Sequence, residues 1–299
     1  MALKLGAHSI NKLYLGSTAI NKAYLGVTVL FSGGSFDPAS LFAGGADGAW
    51  FDPSDLSTLL QDSAGTTPVT ASGQPVGLML DKSGNGNHAT QTISAKRPIY
   101  TEGSGLAWLA FDGVGDFMSH SNHPFTYAGA FTVGVGFSKT GSFNTFETFY
   151  SAGATRSSAA NNTKTMAFML GNDLAVGSSR PHLSTDIWRP SGVAGSTTLT
   201  AAQDSVAVWK SGNWSTHRSG SNTKIRLDGS EEIASSYNDV DPSSLNAGPA
   251  YIGVFDPLRL NTSFYQGKMY GLVSIKEDLG EGNLSKLETH LATKSGVTL

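Results

Sequence analysis

Residues 81–91 read DKSGNGNHATQ, and residues 109–118 read LAFDGVGDFM. Each is a polar, glycine-marked turn joined to strand-like apolar residues. Asp and Asn side chains bond their own backbone in turns, and Gly84 and Gly86 admit positive φ. The order Asp81, Ser83, Asn85, Gly86, Asn87 also matches the front half of an oxygen-ligand loop, in which a bidentate Glu is due at position twelve. Thr92 stands there instead. Asp81 and Asn85 are therefore read first as structural turn residues, with calcium binding as the competing role. Asp112 and Asp116 stand in the same balance: Asp-Gly ends a strand, and the second Asp caps the turn. No other cofactor is implied.

Outward from these turns the chain alternates apolar runs with turn-rich gaps. FTVGVGF (131–137), TFETFYSA (145–152), TMAFML (165–170), SVAVWK (205–210), TKIRLDG (223–229), AYIGVF (250–255) and GKMYGLVSI (267–275) read as strands. They are rich in β-branched and aromatic residues and partly alternate. Asp228-Gly229 suits a tight primed hairpin turn. In LGEGNLSKLETHLATKSG (279–296), Leu284, Leu287 and Leu291 make a narrow helical stripe that Gly296 ends. Many strands and one closing helix predict an all-β protein, a jelly-roll sandwich of antiparallel sheets with one C-terminal helix.

Composition agrees. Of 299 residues, 36 are Gly, 10% are aromatic and only 14% are charged, a mixture unlike a disordered chain. The net charge of −3, with 20 dispersed basic residues, excludes nucleic acid as a bulk partner. No apolar run is long enough for membrane insertion. The start MALKLGAHSINK lacks the marks of a signal peptide, and there is no Cys to form disulfides.

The amino terminus carries a repeat. INKLYLG (10–16) and INKAYLG (20–26) lie ten residues apart, and Leu5-Gly6, Leu15-Gly16 and Leu25-Gly26 keep that step. Each copy reads as a short strand ended by a glycine turn. So small a sheet needs a partner surface. Residues 1–31 are thus expected to be a β-repeat anchor or oligomerisation segment, contacting its partner through Ile10, Tyr14, Leu15, Ile20, Tyr24 and Leu25. An ordinary β-meander is the other reading. SGGSFDPASLFAGGADG (32–48) has the composition of a linker, and residues 49–299 follow as the main domain.

The SGNGN segment, then Arg97-Pro98, then FDGVGDFM closely resembles a run in bacterial and phage laminin-G-like domains. FYQGKMYGLVSIKEDLGEGNLSKLETHLATKSGV (264–297) looks like the last strand and closing helix of those domains. The resemblance covers 50–299 and implies a concanavalin A-like lectin sandwich, a fold much used for carbohydrate binding. The YLG repeats resemble leaders of fibre or spike proteins of phages and gene transfer agents. Together these imply a virion fibre protein, made in the bacterial cytoplasm and displayed on the particle surface. Its partners would be capsid or tail proteins and host surface polysaccharide, and it would be a homo-oligomer, with a trimer favoured.

A retaining glycosidase needs two carboxylates about 5–5.5 Å apart. On the concanavalin-like fold these usually sit on one acidic strand, and no strand here carries such a pattern. Glu147 stands alone in an aromatic strand and reads as a rim residue. Gly192–Ser196 does not match a nucleophile elbow, and His120 and His123 fit a polar turn better than a metal site. The chain is therefore expected not to be an enzyme. Sugar binding asks for aromatic faces beside polar side chains, and Trp214, His217, Arg218, Trp188 and His182 supply both within the 180–222 region.

Overall fold

A computed structural model of the chain describes side chains over residues 36–121, 131–140, 147–152, 226, 228, 248–255 and 264–299, and the backbone of further strands. The chain divides into two compact units, Met1–Asp37 and Pro38–Leu299.

The first unit holds β1 (Lys4–Leu5), β2 (His8–Ser9), β3 (Leu13–Leu15), β4 (Thr18–Ile20), β5 (Lys22–Leu25) and β6 (Thr28–Ser32). They pair as β1–β2, β3–β4 and β5–β6, giving three two-stranded antiparallel sheets. Leu5 faces His8, Leu15 faces Thr18 and Leu25 faces Thr28. By that register each connection is two residues long and opens on a glycine in the sequence. One ten-residue repeat is therefore a hairpin, where a single strand was expected. Tyr14 lies opposite Ala19, Leu13 opposite Ile20 and Tyr24 opposite Val29, while Ile10 falls outside the described residues.

In the second unit the strands are β7 (Gly48–Phe51), β8 (Leu59–Leu60), β9 (Leu78–Met79), β10 (Ala89–Thr90), β11 (Ile99–Gly103), β12 (Leu106–Asp112), β13 (Met118–His120) and β14 (Phe131–Lys139). They continue as β15 (Phe146–Ala152), β16 (Thr165–Asn172), β17 (Pro181–Arg189), β18 (Gly192–Thr200), β19 (Asp204–Ser211), β20 (Ser221–Leu227), β21 (Glu231–Tyr237), β22 (Ala250–Ile252) and β23 (Gln266–Ile275), followed by α1 (Gly280–Ser295). The first sheet runs β18-β17-β16-β15-β22-β13-β10-β9-β8. The second runs β11-β12-β23-β14-β19-β20-β21, with β7 also paired to β23. Every pairing is antiparallel, so the unit is an all-β structure with one C-terminal helix, as the sequence predicts. The connection from β20 to β21 is one residue longer than a two-residue turn: Leu227 faces Glu231, and Asp228 takes positive φ.

The core cluster joins Phe131, Val133, Val135 and Phe137 of β14 to Met118, Tyr150, Ala152 and Ile252 of the first sheet. The intervening residues of β14 are buried too, because α1 lies on the opposite face. A Cβ on Gly134 would stand 3.0 Å from Leu291 Cδ1 and 3.1 Å from Leu287 Cδ2, and one on Gly136 would stand 3.2 Å from the Leu291 carbonyl. The glycines of FTVGVGF thus let the Leu284–Leu287–Leu291 stripe lie close to the sheet. Arg226 to Glu288 at 2.8 Å and Lys294 to Asp52 at 3.0 Å hold the helix from two sides. Gly296, at φ 74°, ends it in the left-handed conformation.

The stretch from Pro38 to Gly48 is no linker. Pro38–Phe42 forms a short 3-10 helix with Leu41 and Phe42 buried, and the carbonyls of Ala46 and Gly48 accept bonds from Asn85 Nδ2. Among the described residues, no helix is long and apolar enough to cross a membrane.

Gly134→Val is expected to overpack the sheet–helix seam and cost about 1–3 kcal/mol, read as a lowered urea midpoint with an unchanged slope.

Candidate functional site

The SGNGN loop spends its polar groups on the fold. Asp81 Oδ1 accepts from the amides of Trp50 (2.9 Å) and Ser83 (2.9 Å). Its Oδ2 accepts from Ser83 Oγ (2.7 Å) and the Asn87 amide (2.9 Å). Asn87 Nδ2 donates to the Gly48 carbonyl at 2.8 Å. The loop therefore sutures the entry strand β7, and its oxygens are engaged by amide and hydroxyl donors. No group of three or more His, Asp or Glu placed to hold a metal ion occurs among the described residues.

Two further buried polar pairs belong to the core. His120 stacks on Tyr150, with Nε2 3.1 Å from the phenol oxygen, and burial pushes that phenol up from its ordinary range. Glu147, expected on a rim, is 1% exposed and pairs with the equally buried Lys139 at 3.1 Å. Its other oxygen accepts the Gln266 amide, so Glu147 fastens β15 to β23 rather than facing solvent.

The outer face of β12 and β23 is built differently. Leu109 and Phe111 point into the core, so alternation sends Trp108, Ala110 and Asp112 to the other side. There Ala110 lies opposite Lys268, and Asp112 opposite Gln266. α1 ends beside Leu106, where a Cβ on Gly296 would stand 3.0 Å from Leu106 Cδ1. Trp108, two residues on, is half-buried. Tyr270 meets it edge-on at 5.7 Å, and Lys268 Nζ stands 4.4 Å from its ring centroid. Gly103 leaves room for the indole, since a Cβ there would come within 3.3 Å of it.

At the end of this strand the FDGVGD turn brings two carboxylates together. The Asp112 amide donates to Asp116 Oδ2 at 3.2 Å, and the Asp116 amide donates to Asp112 Oδ1 at 3.1 Å. Asp112 Oδ1 also accepts from Val114 and Gly115. The two acids are driven apart. Burial would raise Asp112, but the amides of Gly115, Val114 and Asp116 outweigh it and hold the carboxyl below its ordinary value. Asp116 is 6% exposed, and burial, followed by the charge of Asp112, pushes it up to about 7. A pair of carboxyls split in this way can divide into a proton donor and an ionised partner.

Of the residues expected to bind sugar, Trp214, His217 and Arg218 lie outside the described residues. Trp188 and His182 share β17, facing Thr165 and Gly171 of β16. Trp108 was missed because LAWLAF reads as a uniformly apolar strand. The signal is its parity, opposite to that of Leu109 and Phe111.

No protein-family model matches the chain, and no curated protein matches it. Solved structures are similar to it. One is a Glu-to-Gln mutant of GH54 α-L-arabinofuranosidase soaked with 4-nitrophenyl α-L-arabinofuranoside, with 16% identity, a TM-score of 0.60, and coverage of 87% of this chain and 66% of that one. Another is an arabinofuranosidase complexed with arabinofuranosyl-α-1,2-xylobiose, with 16% identity, a TM-score of 0.58, and coverage of 87% and 65%. A third is the GH54 enzyme soaked with a cyclic sulfate inhibitor, at 15% identity and a TM-score of 0.58. At such identity the likeness is one of fold, and the chain spans just under two thirds of the length of these proteins. The expectation that the chain is no enzyme is corrected by these matches: solved glycoside hydrolases share its fold, and a turn such as 112–116 can gather carboxylates without an acidic strand.

Asp116 binds its proton more tightly in the folded chain than at its ordinary value of 3.8. Stability should therefore fall as pH rises from about 4 to about 7, with the full penalty above that, on the order of 1.4 kcal/mol per unit of difference. Asp116→Asn should flatten this dependence and raise the urea midpoint at alkaline pH. An unchanged profile would contradict the assignment.

Proposed function

We propose that this chain acts on polysaccharide, seating a sugar ring on Trp108 and cleaving a glycosidic bond farther along the bound chain, at the turn that ends β12. Asp116 gives its proton to the leaving oxygen. Asp112 stays ionised, supports the positive charge that develops on the sugar, and takes the proton of the water that adds to it, which returns to Asp116 to close the cycle. The observation that carries this reading is the split carboxyl pair at the end of the strand that bears Trp108. The fold shared with arabinofuranosidases supports a carbohydrate role, and fold alone does not assign one.

The finer architecture belongs to the same proposal. The SGNGN and FDGVGD motifs support a laminin-G-like, concanavalin A-like jelly roll. Residues 1–31 attach it to a phage-type particle through a capsid or tail protein. In this reading the three hairpins of the first unit are the attachment device, supported by the two-stranded sheets, which are marginal without a partner. Display in several copies, as a trimer, would raise avidity for host polysaccharide without new contacts.

Incubation with arabinan, arabinoxylan and bacterial capsule should yield new reducing ends. Asp116→Asn should slow their release on the order of 100-fold or more, whereas Trp108→Ala should chiefly raise KM. No release from any of these glycans would overturn cleavage, and retained binding dependent on Trp108 would leave a lectin.

Deleting residues 1–31 should leave the second unit folded, with an unshifted thermal transition, and remove it from sedimented particles. Unfolding of the truncated chain would show that the repeats belong to the core.

A further inference from the structure

Among the described residues, two lysines sit over indole rings, and they differ in one respect. Lys82 Nζ stands 4.5 Å from the Trp50 ring centroid and 2.7 Å from Asp55 Oδ2. Lys268 Nζ stands 4.4 Å from the Trp108 centroid and has no carboxylate among the described residues. The other described lysines sharpen the contrast. Lys139, Lys276 and Lys294 each reach an Asp or Glu, and Lys286 bonds Asn283 on the helix surface. Lys96 is the other exception. It lies 5.6 Å over the Phe117 ring, next to the Gly113–Asp116 turn, again with no carboxylate among the described residues. A ring face satisfies an ammonium only partly, and a carboxylate added beside it strengthens the arrangement.

We infer that the saccharide bound on this face is acidic, with a sugar carboxylate completing Lys268 over Trp108 as Asp55 completes Lys82 over Trp50. The inference rests on the reading of Trp108 as the sugar platform and narrows its substrate class to uronate-containing glycans. Position suits the charge. Asp112 lies four residues along β12 from Trp108, roughly 13 Å at about 3.3 Å per residue. The sugar carboxylate is therefore held away from the negative pair, and the cleaved bond lies farther along the chain of sugars.

The test is calorimetric titration of the full chain with trigalacturonate and with arabinotriose, matched in length. Trigalacturonate should bind at least about tenfold more tightly, and that advantage should shrink between about 50 mM and 500 mM salt. Lys268→Met keeps an aliphatic cover on the indole and removes the charge, so it should abolish the preference, bringing trigalacturonate affinity down to that of arabinotriose. Trp108→Ala should weaken both. Equal affinity for the two sugars, or a preference that survives Lys268→Met, would overturn the acidic class while leaving the platform in place. Binding of neither sugar by the wild-type chain would overturn the platform and the acidic class together.

Discussion

The closing helix rests on a sheet that has been stripped of side chains where it lands. Gly134, Gly136 and Gly271 give α1 its seat, with Leu287 and Leu291 filling the space their Cβ atoms would take. This one contact decides how each part of the second sheet is used. Under the helix, β14 is buried on both faces and serves the core. Beyond Leu106 the cover stops, and β12 with β23 presents Trp108, Lys268, Gln266 and Asp112 on an open face. Burying the leucines of the stripe contributes on the order of 1.5–3 kcal/mol each. The ion pairs at Arg226 and Lys294 fix where along the sheet this gain is collected.

Polar ties do the complementary work at the edges. Asp81 accepts four donors and draws β7 and the segment before it onto the sandwich, so a stretch with linker composition is packed rather than loose. Leaving such amides unmet would cost about 1–3 kcal/mol apiece, so a carboxylate that meets them is kept where the loop joins the apolar assembly. The Lys139–Glu147 pair follows a harsher rule. Two buried charges gain little net stability, but removing either one strands the other. Asp116 is the exception among these acids: burial, followed by the charge of Asp112, raises its pKa, a cost to stability at neutral and alkaline pH.

Periodicity located the strands and the helix well. TFETFYSA, TMAFML, SVAVWK and GKMYGLVSI each contain or overlap a strand of the second unit, and the stripe at 284, 287 and 291 is the buried face of α1. It served less well where one pattern admits two geometries. The ten-residue repeats became hairpins because a two-residue glycine connection fits between paired strands. Glu147 became a core residue because Lys139, eight positions earlier, meets it across the fold, and no local pattern announces such a partner.

The sequence by itself determined the class of the fold, the two turn motifs and the closing helix, since alternation, glycine placement and leucine spacing are local properties of the chain. Which face of β12 stays open, which of the described lysines lack a carboxylate, and which of two aspartates keeps its proton were decided only by the tertiary structure. These depend on what stands within a few ångströms across the fold: the end of α1, the ring of Trp108, and the mutual burial of Asp112 and Asp116. Those distances are set by packing between residues far apart in the chain, and no short-range pattern encodes them.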